Sequence, residues 1–222
     1  MYVYAFGSIC RGEIDRFSDI DLLIITESNE TNKSTFDTNK FSIYKKERIL
    51  ELWKEGNPFA WHLYTESKLL FSDDQIDLIK NIGPPNKYIN LSNDLEKFHS
   101  LYKEALFSLN KSSSSVTFDL SMIFLAIRNF SSCYSLGFNN SFQFSRDSAL
   151  KLKTDKLNIS FRCYEILKRA RILSTRGIGD NMIKEEVEIV KKEISTITNW
   201  FDLIKNKTCK NLITESNFKE KL

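Results

Sequence analysis

The residues best suited to chemistry lie near the start of the chain: Gly7-Ser8, nine further residues, and then Ser18-Asp19-Ile20-Asp21-Leu22. On a strand, side chains at i and i+2 point to the same face. Asp19 and Asp21 would therefore present two carboxylates a few ångströms apart near a strand end. Two such groups repel each other unless a cation sits between them. Mg²⁺ is a hard cation that prefers oxygen, and it commonly takes one or two carboxylates while substrate phosphates and waters complete its shell. The pair thus points to Mg²⁺ as cofactor and to a phosphate-bearing partner. Gly7-Ser8 fits the same chemistry, because a glycine after a strand lets the backbone approach a phosphate closely and the N–H groups opening the next helix attract anions. Ser8 and Ser18 add hydroxyls to a candidate nucleotide-binding set, and Arg11, one turn into that helix, adds a cation able to neutralise phosphate charge. An Asp-x-Asp at a strand start, a Gly-Ser turn and a surface arginine are each ordinary alone. The specificity lies in their order and in a strand–helix–strand context.

The surrounding residues supply that context. Residues 2–6 are a short apolar, β-prone run, and 19–25 is another whose apolar end is too continuous for a solvent-washed strand. Between them, residues 8–16 suit a turn and a short helix, while 27–39 is polar and loop-like. A third strand is expected at 41–44. From Lys45 the spacing becomes helical, with Ile49, Leu52 and Trp53 on one face and Gly56-Asn57-Pro58 ending the element. A helix at 59–66, a strand at 68–71 and a short helix at 73–82 follow, and Gly83-Pro84-Pro85-Asn86 is the strongest break in the sequence. The expected division is therefore 1–86, a small α/β domain, and 87–222, a helical one. Beyond the break, the stripe Leu95, Phe98, Tyr102, Ala105, Leu106, Leu109 defines one helix. Residues 118–136 form a second, with Gly137 expected just past its end, and 159–174 form a third. The seam Ile183, Val187, Val190, Ile194, Ile197, Phe201, Ile204 marks a long last helix packed along an antiparallel neighbour. The fold class expected is α+β, a small mixed sheet followed by an all-α up-and-down bundle, with a frayed, solvated polar tail from Lys205.

Gly7-Ser8, ten residues and Asp19-Ile20-Asp21 together resemble the signature of the nucleotidyltransferase superfamily, typified by polymerase beta-like and kanamycin nucleotidyltransferase-like enzymes. The resemblance is close over 4–25 and weaker onward to Phe71. It implies that Asp19 and Asp21 are catalytic metal ligands and that Gly7 and Ser8 hold the triphosphate of a nucleotide. It also implies in-line attack of an acceptor hydroxyl on the α-phosphorus with pyrophosphate leaving, helped by two metals about 3.5–4 Å apart. One departure matters. The family usually places a third carboxylate on the next strand, and the matching position here is Ser42, a poor base and weak ligand. Asp37, Glu47 or another chain are the candidates to supply it. The helical half resembles more faintly the HEPN ribonuclease bundle: Arg128-Asn129 begins that family's motif, and the motif's histidine is absent, which argues against a ribonuclease.

Composition narrows the rest. Lys and Arg number 32 against 29 Asp and Glu, a net +3 that is too small for a nucleic-acid footprint and argues against nucleic acid as a partner. No apolar run reaches the roughly 20 residues of a membrane span. Cys10, Cys133, Cys163 and Cys209 lack metal-site spacing and read as reduced thiols of a cytoplasmic protein. His62, Trp61 and Tyr64 are read first as partly buried packing. Two functions follow. The first is a Mg²⁺-dependent nucleotidyltransferase moving a nucleoside monophosphate from a nucleoside triphosphate, ATP foremost, to a hydroxyl of a small molecule or protein. The second, motivated by Ser42, is a weakened relative acting as the protein partner in a toxin–antitoxin or defence pair. The long last helix is compatible with a homodimer.

Overall fold

The alternation Tyr2, Tyr4, Phe6 puts three large rings on one side of a strand, and that face organises the first half of the chain. The computed structural model describes residues 1–14, 20–27, 36–38, 40–112 and 114–219, with side chains through residue 210. Packing divides the chain into two units, Met1–Ile89 and Asn90–Leu222.

In the first unit the order is β1 (Tyr2–Phe6), α1 (Ser8–Arg11), β2 (Asp21–Thr26), β3 (Phe41–Lys45), α2 (Lys46–Lys54), α3 (Pro58–Glu66), β4 (Ser67–Ser72) and α4 (Leu78–Ile82). The sheet order is β3-β2-β1-β4, with β1 antiparallel to both β2 and β4, and β2 parallel to β3. The rings of β1 join Leu23 and Ile25 of β2 under Ile49, Leu52 and Trp53 of α2, Ala60 and Leu63 of α3, and Leu78 and Ile79 of α4. Buried tyrosine needs a partner for its hydroxyl. Tyr4 donates to Asp77 Oδ1 at 3.0 Å and accepts from the Ile79 N–H at 3.1 Å, which fixes α4 against β1. The helix expected over 73–82 is shorter because its acidic residues serve the backbone instead. Asp74 accepts from the Ile76 N–H and the Tyr2 hydroxyl, and Asp77 caps α4. α3 begins where Asn57 caps the Phe59 N–H at 2.9 Å and Pro58 occupies the first turn.

The second unit consists of α5 (Leu91–Lys111), α6 (Val116–Gly137), α7 (Phe161–Arg176) and α8 (Lys184–Lys219). α6 packs between α5 and α7, and α8 closes against both. Gly137 is the last residue of α6 rather than its successor, because Phe138 stacks on Tyr134 at 4.9 Å and caps the helix with its own N–H. The tail expected to fray continues α8 to Lys219. Lys205 is held by Glu96 and Lys207 by Asp155, and Thr208 is buried. Arg128 donates to the Phe144 carbonyl at 3.1 Å, and Ser131, Ser132 and Ser135 bond the same 138–160 connection, so the polar face of α6 is structural.

His99 is buried between Tyr102 and Phe201, stacked on both. Its Nδ1 lies 3.1 Å from Lys205 Nζ, which donates and leaves the ring proton on Nε2, 3.5 Å from Asp202 Oδ1. Burial, then Lys103 and Lys205, hold its pKa below the ordinary value. Below about pH 6.5 the unfolded chain binds a proton that the folded ring refuses, so stability should fall with acidification through that range. The difference in urea midpoint between pH 7.5 and pH 5 should narrow in His99→Gln; an unchanged difference would contradict this account.

Candidate active site

The register of β1 and β2 builds the site. Phe6 pairs with Asp21 as the last rung of an antiparallel ladder, so Gly7, one residue on, emerges beside the Asp21 carboxylate. Gly7 ends β1 and opens α1 at once. Its N–H donates to the Glu66 carbonyl at 3.1 Å, and its carbonyl accepts from the N–H groups of Cys10 at 3.0 Å and Arg11 at 3.2 Å. That double duty requires φ of 75°, in the left-handed region glycine favours. A Cβ there would stand 2.9 Å from Asp21 Oδ2 and 3.8 Å from His62 Nε2. Two independent constraints therefore demand glycine.

α3 brings His62 and Glu66 over this point. The His62 ring meets Phe6 edge-on at 5.7 Å, and its Nε2 lies 2.9 Å from Glu66 Oε2. Glu66 also receives the Arg11 guanidinium, whose Nε donates to Glu13 at 2.8 Å. Arg11, expected to meet phosphate, is thus engaged by two carboxylates. Asp21 lies against Gly7 with its charge facing the turn, while the nearest guanidinium, Arg11, is matched by the two carboxylates of Glu13 and Glu66. A polyphosphate approaching such a surface is repelled unless a cation comes with it. Oxygen donors, a carboxylate lying against bare backbone and a negative surround suit a hard divalent ion. Among the described residues no group of three or more His, Cys, Asp or Glu is arranged to hold a metal.

Of the residues expected here, Gly7, Ser8, Arg11 and Asp21 come together on adjoining ends of β1, α1 and β2. Ser8 is the first residue of the four-residue helix α1, half-buried behind Gly7, which occupies the N-cap. Ser18 and Asp19 lie outside the described residues. Ser42 pairs with Leu23 and so shares the face of β2 that carries Asp21. Glu47 is excluded as a third ligand for Asp21 within one chain. Lys45 pairs with Thr26, placing the start of α2 at the opposite end of β2, roughly 15 Å away at the rise of a strand. Asp37 accepts the Lys40 and Phe41 N–H groups through its carbonyl and pairs through its carboxylate with Lys40 at 3.7 Å. An open cleft of about 500 Å³ lies between the starts of β2 and β3, lined on its polar side by Asp21, Thr38, Lys40 and Ser42. Sequence reasoning did not single out Glu66 and Lys40. The signal for Glu66 was its place four residues after His62 on one helix face and directly before the strand that pairs with β1.

Residues 1–76 match the family model described as Polymerase beta, Nucleotidyltransferase. Among solved structures, the chain is similar to the crystal structure of spectinomycin adenyltransferase AAD(9) from Enterococcus faecialis with ATP and spectinomycin. The identity is 12% and the TM-score 0.48, over 92% of this chain and 91% of that one. No curated protein matches the chain. Among the described residues no helix is long and apolar enough to cross a membrane.

Two substitutions test the geometry. Gly7→Ala should cost about 1–3 kcal/mol of stability from backbone strain plus the contact with Asp21. Gly12→Ala, with a similar φ of 71° and nothing within 4 Å of its Cβ position, should cost less; equal losses in urea unfolding would mean the Asp21 contact carries no weight. Glu66→Gln should lose about 2 kcal/mol, and combined with Arg11→Met it should lose less than the sum of the two single changes. Strict additivity would show that the pair is not coupled.

Proposed function

We propose that this protein is a Mg²⁺-dependent nucleotidyltransferase that moves a nucleoside monophosphate from a nucleoside triphosphate, with ATP the expected donor, to a hydroxyl of a small molecule or protein. The observation that carries the reading is the Asp21 carboxylate packed against Gly7 at the end of β1, inside the segment that matches the nucleotidyltransferase family model. Asp21, together with Asp19, would hold the divalent ion, which supplies charge neutralisation for the phosphates and the leaving pyrophosphate.

The chain's own residues account for the remainder. Gly7 offers backbone without a side chain, so a phosphate can lie against it while Asp21 stays close. Ser8, half-buried at the start of α1, offers a hydroxyl to the same phosphates. Arg11, Glu66 and His62 fix the turn and hold these groups in register. The acceptor oxygen attacks the α-phosphorus, the bond to the bridging oxygen breaks, and pyrophosphate leaves; positioning and charge compensation provide most of the acceleration. Free cysteines on both halves of the chain fit a reducing, cytoplasmic setting.

A second reading rests on one observation: Ser42 occupies β3 where a further carboxylate would face Asp21. It takes the protein as a nucleotide-binding partner with little turnover, of the kind found in toxin–antitoxin or defence pairs.

With a suitable hydroxyl acceptor, pyrophosphate release should require Mg²⁺ and fall by about two orders of magnitude or more in Asp21→Asn, with an unchanged unfolding midpoint. Full turnover in Asp21→Asn would overturn the enzyme reading. Nucleotide binding without product under any acceptor would favour the second.

A further inference from the structure

The cleft between β2 and β3 contains a charge that the mechanism above does not use. Lys40 is the residue immediately before Phe41, which pairs with Leu22, just as Asp21 is the residue immediately before Leu22 on the neighbouring strand. The parallel register therefore brings a lysine and an aspartate to the same end of adjoining strands, and both line the cleft. The Lys40 backbone is fixed, since its N–H donates to the Asp37 carbonyl at 2.9 Å and the next N–H does the same at 3.1 Å. Its ammonium is held far less firmly. The pair with Asp37 spans 3.7 Å, with Lys40 74% and Asp37 44% exposed. An ion pair so exposed is worth little and is easily exchanged for a stronger anion. Arg11, the cation of the β1–α1 turn, is occupied by Glu13 and Glu66. Thr38 and Ser42 line the cleft beside Lys40, and among the described residues no second lysine or arginine lines it.

We propose that Lys40 is a substrate-binding residue of the cleft, leaving Asp37 to contact a phosphoryl oxygen of the bound nucleotide on the side of Asp21 that faces β3. This inference rests on the nucleotidyltransferase reading and deepens it. Positive charge comes to the phosphates from the β3 side through a lysine, at the edge where Ser42 offers no carboxylate to gather a further metal ion. A lysine suits this place because its ammonium is a compact charge on a flexible stem, able to move from Asp37 to a phosphate without a fixed fork geometry. Asp37 then acts as the resting partner of Lys40 rather than as a metal ligand.

The test is calorimetry of a nonhydrolysable ATP analogue with Mg²⁺, and separately of inorganic tripolyphosphate with Mg²⁺, on the full chain. Lys40→Ala should weaken both by about tenfold, the size of one charge-assisted contact, and should reduce the salt dependence of binding. Lys40→Arg should stay within about threefold of the wild type. Asp37→Asn, which frees the ammonium, should tighten binding of both probes or leave it unchanged. The unfolding midpoint of Lys40→Ala should match the wild type, so that the loss reads contact rather than folding. Wild-type binding with Lys40→Ala within twofold of it overturns this inference alone. A wild-type protein that binds neither probe overturns the nucleotide reading and this inference with it.

Discussion

The contact between the Asp21 carboxylate and the bare Cα of Gly7 is the constraint on which the first unit's chemistry depends. It exists because Phe6 and Asp21 close the β1–β2 ladder and because the chain must turn from strand into helix one residue later. That turn leaves no room for a side chain, and the room is taken by a carboxylate. α3 adds the third side: the Glu66 carbonyl extends the β4 pairing to the Gly7 N–H while the Glu66 side chain binds Arg11 and lies beside His62. One glutamate thus ties strand, short helix and covering helix together by main chain and side chain at once. The consequence is a corner in which Gly7, Asp21, Glu66 and Arg11 already hold one another in place.

The distribution of charge around that corner separates structural from available groups. Arg11 is half-buried between two carboxylates and works as a strut. Lys40, on the opposite flank, is mostly exposed and loosely paired. Distance from the aspartate in sequence would have ranked them the other way. The second unit has its own logic: on α6, Arg128, Ser131, Ser132 and Ser135 bond the 138–160 connection, while Asp119 accepts from Ser115 and Ser121 accepts from Arg171 of α7. Its long partner α8 is sealed to α5 by the stack of His99, Tyr102 and Phe201 and by the Lys205–Glu96 pair.

Much of this was legible in the residues. The β-prone apolar run at 2–6, the continuous apolar run after Asp21 and the seam from Ile183 to Ile204 each forced one element, the two short runs as strands covered on both faces and the seam as a helix with one face to bury. The Gly-Ser and Asp-x-Asp spacing singled out Gly7, Ser8 and Asp21, which the β1–β2 ladder brings to one corner, because that proximity follows from local order along the chain. What was not legible depended on pairing across the sheet. That Glu47 falls at the far end from Asp21, and that Lys40 falls at the near end, follow only once β2 and β3 are known to be parallel and in a particular register. Arg11's engagement needs Glu66, fifty-five positions away. Local misjudgements had local causes: the acids at 73–77 cap and tether rather than continue a helix, and Phe138 on Tyr134 carries α6 through Gly137.

The central claim is that the Gly7–Asp21 corner binds the metal–phosphate end of a nucleotide. The most direct measurement is a crystal structure of the full chain with Mn²⁺ and a nonhydrolysable ATP analogue, using anomalous scattering to locate the ion. The account predicts Mn²⁺ within inner-sphere reach of Asp21, about 2.0–2.3 Å, with phosphate oxygens against Gly7 and Ser8. A well-ordered nucleotide whose phosphates lie away from Gly7, with no manganese at Asp21, would contradict it.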